Sequence, residues 1–393
     1  MDKVAIKRVE SIDLLRGIIM VIMALDHTRD YFHRGSMIVD PTNLATTTPL
    51  LFFTRILTHY CAPVFVMLTG TAAFLSGSRK TKKELSQFLL SRGLWLILLE
   101  FTLNNFLWWF DLSYSIVNIQ VIWAIGFSMV VLSFLIFLPL RMILFLGIML
   151  VAGHNLLDTI TVDGTGWKSV LWYLVHQMKE VHYQDRVVFF QYPVLPWIGV
   201  MALGYCAGPL FSRQISADTR KKWLLMLGIA GVLAFVIIRA VNVYGDPTPW
   251  QPQQNALYTF MSFLNVNKYP PSLSYVLMTL SPAMLLLYFF ENVNSRVADF
   301  FLVFGRVPLF YYFLHVLVIH LLAIIMLFMS GGDWRLMIMN STTITSPIWL
   351  DYGYPLPVVF VVWVLVIAVL YPFCRIYQQY KFQNREKWWL SYM

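Results

Sequence analysis

The stretch "MVIMALDHTRDYFH" near the start of the chain changes from apolar to ionisable residues within two helical turns. Five of its side chains could do chemistry: Asp26, His27, Arg29, Asp30 and His33. On a helix, Asp26 and Asp30 share one face, while His27 lies about 100 degrees from Asp26. A carboxylate beside a histidine raises its proton affinity, which suits a general base that deprotonates a hydroxyl or an amine. The alternative is a hydrated helix end that exchanges hydrogen bonds with lipid headgroups.

Three more histidines lie in apolar segments. In "FFTRILTHYCAPVF", His59 follows Arg55 by four residues and shares its helical face. Pro63 can kink this helix and free backbone groups, so His59 either satisfies those groups or takes part in chemistry. In "GRVPLFYYFLHVLVIHLLA", His315 and His320 are five residues apart and lie on different faces. We interpret His320 as a packing residue and His315 as a residue that supports the catalytic group.

His154 and Asp158 in "AGHNLLD" are four residues apart at the end of an apolar segment. A histidine oriented by a carboxylate occurs in catalytic triads, but the pair also satisfies two polar groups at a helix end, and we favour this second role. The three cysteines are scattered through apolar segments, which argues against a disulfide framework and against a zinc site. We therefore expect no metal.

Two arginines could bind the phosphates of a substrate. Asp13 and Arg16 are three residues apart, so they can face each other on one side of a helix. This pair either fixes the helix end or leaves Arg16 to act with Arg92 at a mouth whose forked guanidinium donors bind phosphates.

These groups lie in a very apolar chain. Hydrophobic residues make up 59% of the 393 and charged residues 12%, whereas soluble domains have about a quarter charged residues. Successive apolar runs of about 20 residues predict an all-α, polytopic membrane bundle. We expect one domain over residues 1–393, surrounded by membrane lipids.

Ten spans are predicted, and most Lys and Arg residues lie in alternate connections between them. The spans are 12–31, 51–76, 86–109, 116–138, 140–159, 189–211, 222–243, 272–291, 306–329 and 354–376. Cytoplasmic segments retain positive charge, and the basic segments 1–10, 79–83, 213–222 and 375–387 therefore predict that both termini are cytoplasmic. The net charge of +9 then follows mostly from topology, and no nucleic-acid partner is expected.

Two long outer segments could cover a site from the opposite side. Segment 161–188 is too polar to span a membrane, and its Trp and Leu residues predict an interfacial amphipathic helix. Segment 244–271 is rich in Pro, Gln and Asn, which is typical of an ordered loop.

Six segments carry a resemblance to a known family. They are "SIDLLRGIIMVIMALDH", "THYCAPVFVMLTG", "RGLWLILLE", "PWIGVMALGY", "NKYPPSLSYVLMTL" and "GRVPLFYYFLH". From Ser11 to His320 the chain resembles the bacterial relatives of heparan-α-glucosaminide N-acetyltransferase, within the wider transmembrane acyltransferase superfamily. The most specific part is "SIDLLRG", which opens a span that ends in a histidine. The resemblance implies ten or eleven helices around a central site, with acetyl-CoA as the cytoplasmic co-substrate and a sugar acceptor on the other side.

The resemblance points to two different histidines as the catalytic base. Human-type members end the first span with Asn and place the catalytic His in the outer loop after a Tyr-Phe stretch, which matches His33. The related O-acetylating branch places the working His at the end of the first span, which matches His27. We favour His27 and keep His33 as the alternative.

The sequence therefore predicts a multi-pass acyltransferase of the inner (plasma) membrane. It would move an acetyl or other acyl group from cytoplasmic acyl-CoA to the hydroxyl or amine of a glycan or small sugar outside, by direct transfer or through an acyl-histidine. Arg16 and Arg92 would bind the acyl-CoA. A homodimer is left open.

Within this prediction, the neighbours of His27 have supporting roles. Asp30 or Asp26 would orient the histidine, and Arg29 or His59 would stabilise the oxyanion. The rival prediction is a transporter or flippase for a polar or lipid-linked substrate, because intramembrane His and Asp also serve proton relays. The lack of a visible repeat between the two halves counts against this rival.

Overall fold

The computed structural model describes most of the chain, and that part is mostly helical. The described residues are 10–36, 38–344, 346–384 and 386–392. The basic residues at positions 3, 7, 8 and 385, which contributed to the predicted topology, lie outside these ranges.

The α-helices of this part, in chain order, are α1 Glu10–Phe32, α2 Pro49–Thr58, α3 Cys61–Gly77, α4 Lys82–Leu99, α5 Asn105–Trp109, α6 Val121–Leu135, α7 Leu140–Gly153, α8 Trp167–Val175, α9 Leu195–Ala207, α10 Ala217–Val241, α11 Ala256–Leu264, α12 Leu273–Phe290, α13 Arg296–Gly305, α14 Pro308–Met329 and α15 Leu356–Gln383. A π-helical segment, Glu100–Asn104, joins α4 to α5.

Seven helical segments of the described chain are long and apolar enough to cross a membrane. They are Pro49–Gly77, Lys82–Trp109, Leu140–Leu157, Ala217–Val241, Leu273–Phe290, Pro308–Met329 and Leu356–Gln383. Two further apolar helical segments, Val121–Leu135 and Leu195–Phe211, are shorter. These lengths and compositions are those of a multi-pass membrane protein, although fewer segments qualify than the ten spans predicted.

Helix α1 lies in the middle of the bundle. It packs against α2, α3, α12, α13, α14 and α15. Most of its side chains are buried, including Asp13, Asp26 and Arg29. Charged groups inside an apolar bundle are tolerated when they face protein or a wet cavity, so the central position explains why this helix can carry them.

A close approach between backbones fixes α1 against α13. A Cβ atom on Gly17 would overlap the backbone oxygen of Phe301, and one on Gly305 would overlap that of Asp13. Small residues of this kind let membrane helices pack with their backbones in contact. The carbonyl of Gly305 also accepts a hydrogen bond from Arg16 Nη1 at 3.2 Å, so this contact helps to position Arg16.

The second span is broken between α2 and α3, where the sequence places Pro63. A proline cannot donate to the carbonyl four residues earlier, which here belongs to His59. The Tyr275 hydroxyl of α12 donates to that carbonyl at 2.7 Å. The freed backbone group is thus satisfied by a side chain from a neighbouring helix, as membrane-embedded breaks require.

A small sheet replaces the starts of two predicted spans. Strands β1 Ile116–Ile119, β2 Lys179–Tyr183 and β3 Arg186–Phe190 form it in the order β1-β3-β2. β1 is parallel to β3, and β2 is antiparallel to it. The predicted spans 116–138 and 189–211 therefore begin too early. Their first residues, "IVNI" and the end of "RVVFF", are apolar and rich in β-branched or aromatic types, so hydropathy alone does not separate them from a membrane helix.

The outer segments are ordered, with more varied structure than the sequence predicts. The predicted interfacial helix in 161–188 covers only α8, which exposes Trp167 and Leu171, and a hairpin follows it. Segment 244–271 contains α11 and is held by Arg239, whose guanidinium donates to four backbone carbonyls at 2.7–3.1 Å.

Candidate active site

A cavity of about 1850 Å³ runs along one face of α1. Asp13, Arg16, Met20, Met23 and His27 line it at intervals of three or four residues, which is the spacing of one helical face. The 11 residue steps from Arg16 to His27 correspond to about 16 Å of helix at roughly 1.5 Å per residue. Typical small-molecule pockets are about 300–1,000 Å³, so this cavity can hold a long substrate or two substrates.

One end of the cavity is strongly basic. Its cationic lining includes Arg16, Arg79, Lys80, Lys82, Arg92 and Arg213. The neighbouring helix ends meet here: the Ser11 hydroxyl donates to Glu291 at 3.4 Å, and Arg306 lies 3.7 Å from Glu10. Guanidinium and ammonium groups gathered in this way suit a polyanionic ligand such as a phosphate chain.

His27 lines the cavity at the other end of this face and is paired with His315 of α14. The Nδ1 atom of His27 lies 2.7 Å from Nε2 of His315, and Nδ1 of His315 lies 3.0 Å from the carbonyl oxygen of Tyr311. A carbonyl only accepts, so Nδ1 of neutral His315 carries the proton and its Nε2 accepts from His27 Nδ1–H. This tautomer leaves Nε2 of His27 with a basic lone pair.

The two aspartates beside His27 are bound by arginines. Asp26 accepts from Arg29 at 2.5 Å, from Arg55 at 2.9 and 2.8 Å and from the Thr58 hydroxyl at 2.7 Å. Asp30 accepts from Arg29 at 3.0 Å. Within the described residues neither carboxylate hydrogen-bonds His27, whose ring partner is His315. Arg29 and Arg55 bind these carboxylates in preference to His27, because charged, forked donors form stronger hydrogen bonds than a neutral imidazole.

The structure brings only some of the predicted site residues to the cavity. His27, Asp26, Arg16 and Arg92 line it. Arg29, Asp30, His59 and His315 do not line it; Arg29 contacts Asp26, His315 contacts His27, and Asp30 is joined to the site only through Arg29. The Nδ1 atom of His59 lies 2.7 Å from the backbone oxygen of Arg55, a contact that satisfies the helix.

His33 lies beyond the end of α1 and outside the cavity lining. It forms a parallel β-bridge with Tyr354, and the N–H of the next residue, Arg34, donates to the Tyr354 carbonyl at 3.1 Å. Burial, together with nearby Arg29, holds the pKa of His33 below its ordinary value. His33 and His27 therefore occupy different environments.

Sequence reasoning missed the positions or contacts of three ionisable groups, Lys268, Arg55 and Glu100. Lys268 lines the cavity, is only 8% exposed and lies 5.2 Å from the Tyr269 ring centroid. Arg55 joins α2 to Asp26 of α1. Glu100, in the π-helical segment, accepts from the Asn104 side chain at 2.6 Å and from the Trp123 N–H at 2.8 Å. Glu100 ends the apolar segment "RGLWLILLE", and a charge in such a segment is the signal that could have identified it. Lys268 lies in "NKYPPSLSYVLMTL", beside turn residues, where a charge is ordinary and gives no such signal.

A comparison with known protein families shows which family the chain belongs to. The family described as heparan-alpha-glucosaminide N-acetyltransferase, catalytic, matches residues 8–244, which is more than half of the chain. The chain belongs to this family. Membership in the heparan-α-glucosaminide N-acetyltransferase catalytic family supports an acetyltransferase-like activity in the membrane. The matched region contains His27, His33 and Arg92, while Lys268 and His315 lie beyond it. No curated protein sequence matches the chain.

Proposed function

We propose that the protein transfers an acetyl or other acyl group from cytoplasmic acyl-CoA to a sugar hydroxyl or amine on the extracytoplasmic side of the inner membrane. The observation that carries the proposal is the single cavity that joins a basic end to the His27–His315 pair. The proposed reaction needs a binding site for a phosphate-rich acyl carrier and a base for the acceptor, and the basic end and His27 of this cavity supply these two parts.

The basic end is the docking site of the donor in this proposal. Arg16 and Arg92 bind phosphates of acyl-CoA, and the thioester arm lies along the α1 face toward His27, over about 16 Å of helix. The basic segment at 79–83 belongs to the side predicted to be cytoplasmic, which is where acyl-CoA is made available. The polar head then stays at the mouth while the acyl group reaches membrane depth.

His27 acts as the base at the end of the cavity opposite the basic mouth. Its Nε2 takes the proton of the acceptor hydroxyl or amine as the oxygen or nitrogen attacks the thioester carbonyl carbon. The tetrahedral intermediate collapses, the C–S bond breaks and the leaving thiolate takes the proton from His27, which gives the acylated sugar and free CoA thiol. His315 fixes the tautomer before the transfer and stabilises the imidazolium that forms during it. The same nitrogen can instead carry the acyl group in a two-step route.

Lys268 is the group best placed to stabilise the oxyanion. It is a buried cation on the cavity wall, whereas Arg29 is bound to Asp26 and Asp30. A fixed donor in a dry site contributes roughly 3 to 4 kcal/mol to the transition state. Arg29 and Arg55 act by holding Asp26, and therefore the end of α1, in place.

Sealed vesicles that contain a sugar acceptor test the proposal. Labelled acetyl-CoA is added outside, and both the label on the enclosed acceptor and the CoA thiol released outside are measured. We expect the two to rise together with wild-type protein and neither to rise with His27→Ala. Movement of acceptor without release of CoA thiol would instead indicate a transporter.

A further inference from the structure

A second polar cluster lies outside the cavity and is built from His154, Asp158 and His176. One ligand-capable atom from each of the three side chains lies within 4.8 Å of the others. The two histidines are 2% and 3% exposed, and the Asp158 side chain is 15% exposed. The sequence pairs only His154 with Asp158, because His176 belongs to a separate segment, directly after α8.

Hydrogen bonds within the described chain do not account for these histidines. Neither ring nitrogen of His154 or of His176 makes a hydrogen bond of good geometry. Nε2 of His176 lies 3.2 Å from Asp158 Oδ1, and the backbone oxygen of Pro271 faces His154. An ion pair between His176 and Asp158 explains one nitrogen, and the contact with the Pro271 carbonyl involves at most one nitrogen of His154, so the other two imidazole nitrogens stay unexplained. Buried polar atoms that lack partners are rare and call for a physical explanation.

We propose that His154, Asp158 and His176 bind a Zn²⁺ ion. Two imidazole nitrogens and one carboxylate oxygen are ligands that zinc prefers, and its fourth position can be taken by water. Bond lengths of about 2.0–2.2 Å give ligand separations of roughly 3.3–3.5 Å in a tetrahedral site. The 3.2 Å distance between His176 and Asp158 is already close to this value. The other separations are within 4.8 Å, and the proposal requires them to shorten when the ion binds.

The surroundings orient the carboxylate ligand. The Asn155 amide donates to Asp158 Oδ2 at 2.7 Å, which leaves Oδ1 for the ion. The Asn155 side-chain oxygen accepts from the Leu273 N–H at 3.0 Å, so the start of α12 holds this amide in place. Partners of this kind set the orientation of metal ligands in established sites.

The cluster lies at the end of the bundle away from the basic mouth. Lys82 donates to the Phe137 carbonyl at 3.2 Å, which places the α6–α7 turn at the basic end. Helix α7 then runs to the opposite end, where His154 follows it. His176 ends α8, which packs on the small sheet. The ion would therefore join α8 and the sheet to the end of α7, at a distance from the proposed transfer chemistry.

Metal content tests the proposal directly. The full-length protein in detergent is dialysed against a chelator, given Zn²⁺ alone, freed of loosely bound ion and analysed by mass spectrometry of the metal. We expect about one zinc per chain in wild type, and at least a roughly tenfold loss of affinity in His154→Gln and His176→Gln. The matched control is His182→Gln, which changes an exposed histidine of β2 that lies 2.9 Å from Glu180.

A second measurement uses wild-type protein alone, so it tests the proposal even if the variants fail to fold. Co²⁺ added to the metal-free wild type is expected to give the intense visible absorption of a tetrahedral site, and Zn²⁺ is expected to abolish it and to raise the unfolding temperature. Substoichiometric zinc in the wild type, a missing cobalt spectrum, or an equal loss of zinc in His182→Gln would each overturn the proposal.

Discussion

Nδ1 of His27 lies 2.7 Å from Nε2 of His315, a residue 288 positions later in the chain. The Tyr311 carbonyl fixes the other nitrogen of His315 as a donor, so the proton positions of both rings are determined by one backbone oxygen. In the proposed reaction this makes His315 a positioning residue for His27. His315 thus orients His27, which is the role that the sequence predicts for Asp30 or Asp26.

Replacement of His315 tests this positioning role. His315→Ala is expected to lower kcat about 100-fold and to leave the KM for acyl-CoA nearly unchanged, because the tautomer of His27 is no longer fixed. His315→Gln keeps an oxygen that can accept from His27 Nδ1–H, so we expect it to retain more activity than the alanine variant. Steady-state kinetics with a pH–rate profile measures both effects.

His320→Gln is the matched control for that experiment. His320 lies in the same helix and contacts the Leu107 and Met337 carbonyls at 2.9 and 2.8 Å, away from the cavity lining. Its replacement is expected to lower stability without moving the pH–rate profile. Full activity in His315→Ala, or the same shift of the profile in both variants, would refute the role given to His315.

Arg92→Gln is expected to weaken donor binding. The guanidinium lines the basic end of the cavity, so its loss should raise the KM for acyl-CoA about tenfold, with little change in kcat. The salt dependence of that KM should also decrease. Arg141→Gln serves as the control because Arg141 is exposed and does not line the cavity. Equal effects of the two substitutions would point to general surface charge rather than a binding site.

Asp26→Asn is expected to destabilise the fold. The carboxylate lies between Arg29 and Arg55, and its neutralisation leaves Arg55 without its carboxylate partner and Arg29 with Asp30 alone. Breaking a buried ion pair in this way costs about 3–5 kcal/mol of unfolding free energy. Thr58→Val removes one neutral donor to the same carboxylate and should cost about 1 kcal/mol. Thermal unfolding in detergent compares the two, and a larger loss for the valine variant would contradict this assignment.

The contact between α1 and α13 predicts a strong effect of one methyl group. Gly17→Ala places a Cβ against the Phe301 backbone, which cannot yield without separating the helices. We expect a large drop in the unfolding temperature and in the yield of monodisperse protein. Gly153→Ala meets nothing within 4 Å and should be nearly neutral. Similar behaviour of the two variants would show that the helices do not pack as described.

Sequence patterns predicted the features that depend on residues close together in the chain. The spacing around Pro63 indicates a helix break, and the apolar runs locate most of the long helices. The strands at 116–119 and 186–190 were missed because a short, mostly apolar segment looks alike in a strand and at the start of a membrane helix.

Contacts between distant segments could not be predicted from such patterns. Helical periodicity shows that His27 and Asp26 are neighbours, but not that His315 reaches His27 or that Arg55 reaches Asp26. Lys268 lies in segment 244–271, which the sequence predicts to be an outer loop, and its burial arises only from the packing of that loop onto the helices. The site therefore depends on tertiary packing that one sequence does not reveal.

Acyl transfer by His27→Ala and His33→Ala, side by side in sealed vesicles, tests the central claim most directly. His27 lines the cavity and is paired with His315, whereas His33 lies outside it beside Tyr354. We predict that His27→Ala lowers the rate of labelled acetyl transfer by about 100-fold or more and that His33→Ala stays within about twofold of wild type. Full transfer by His27→Ala together with loss of transfer in His33→Ala would contradict the account.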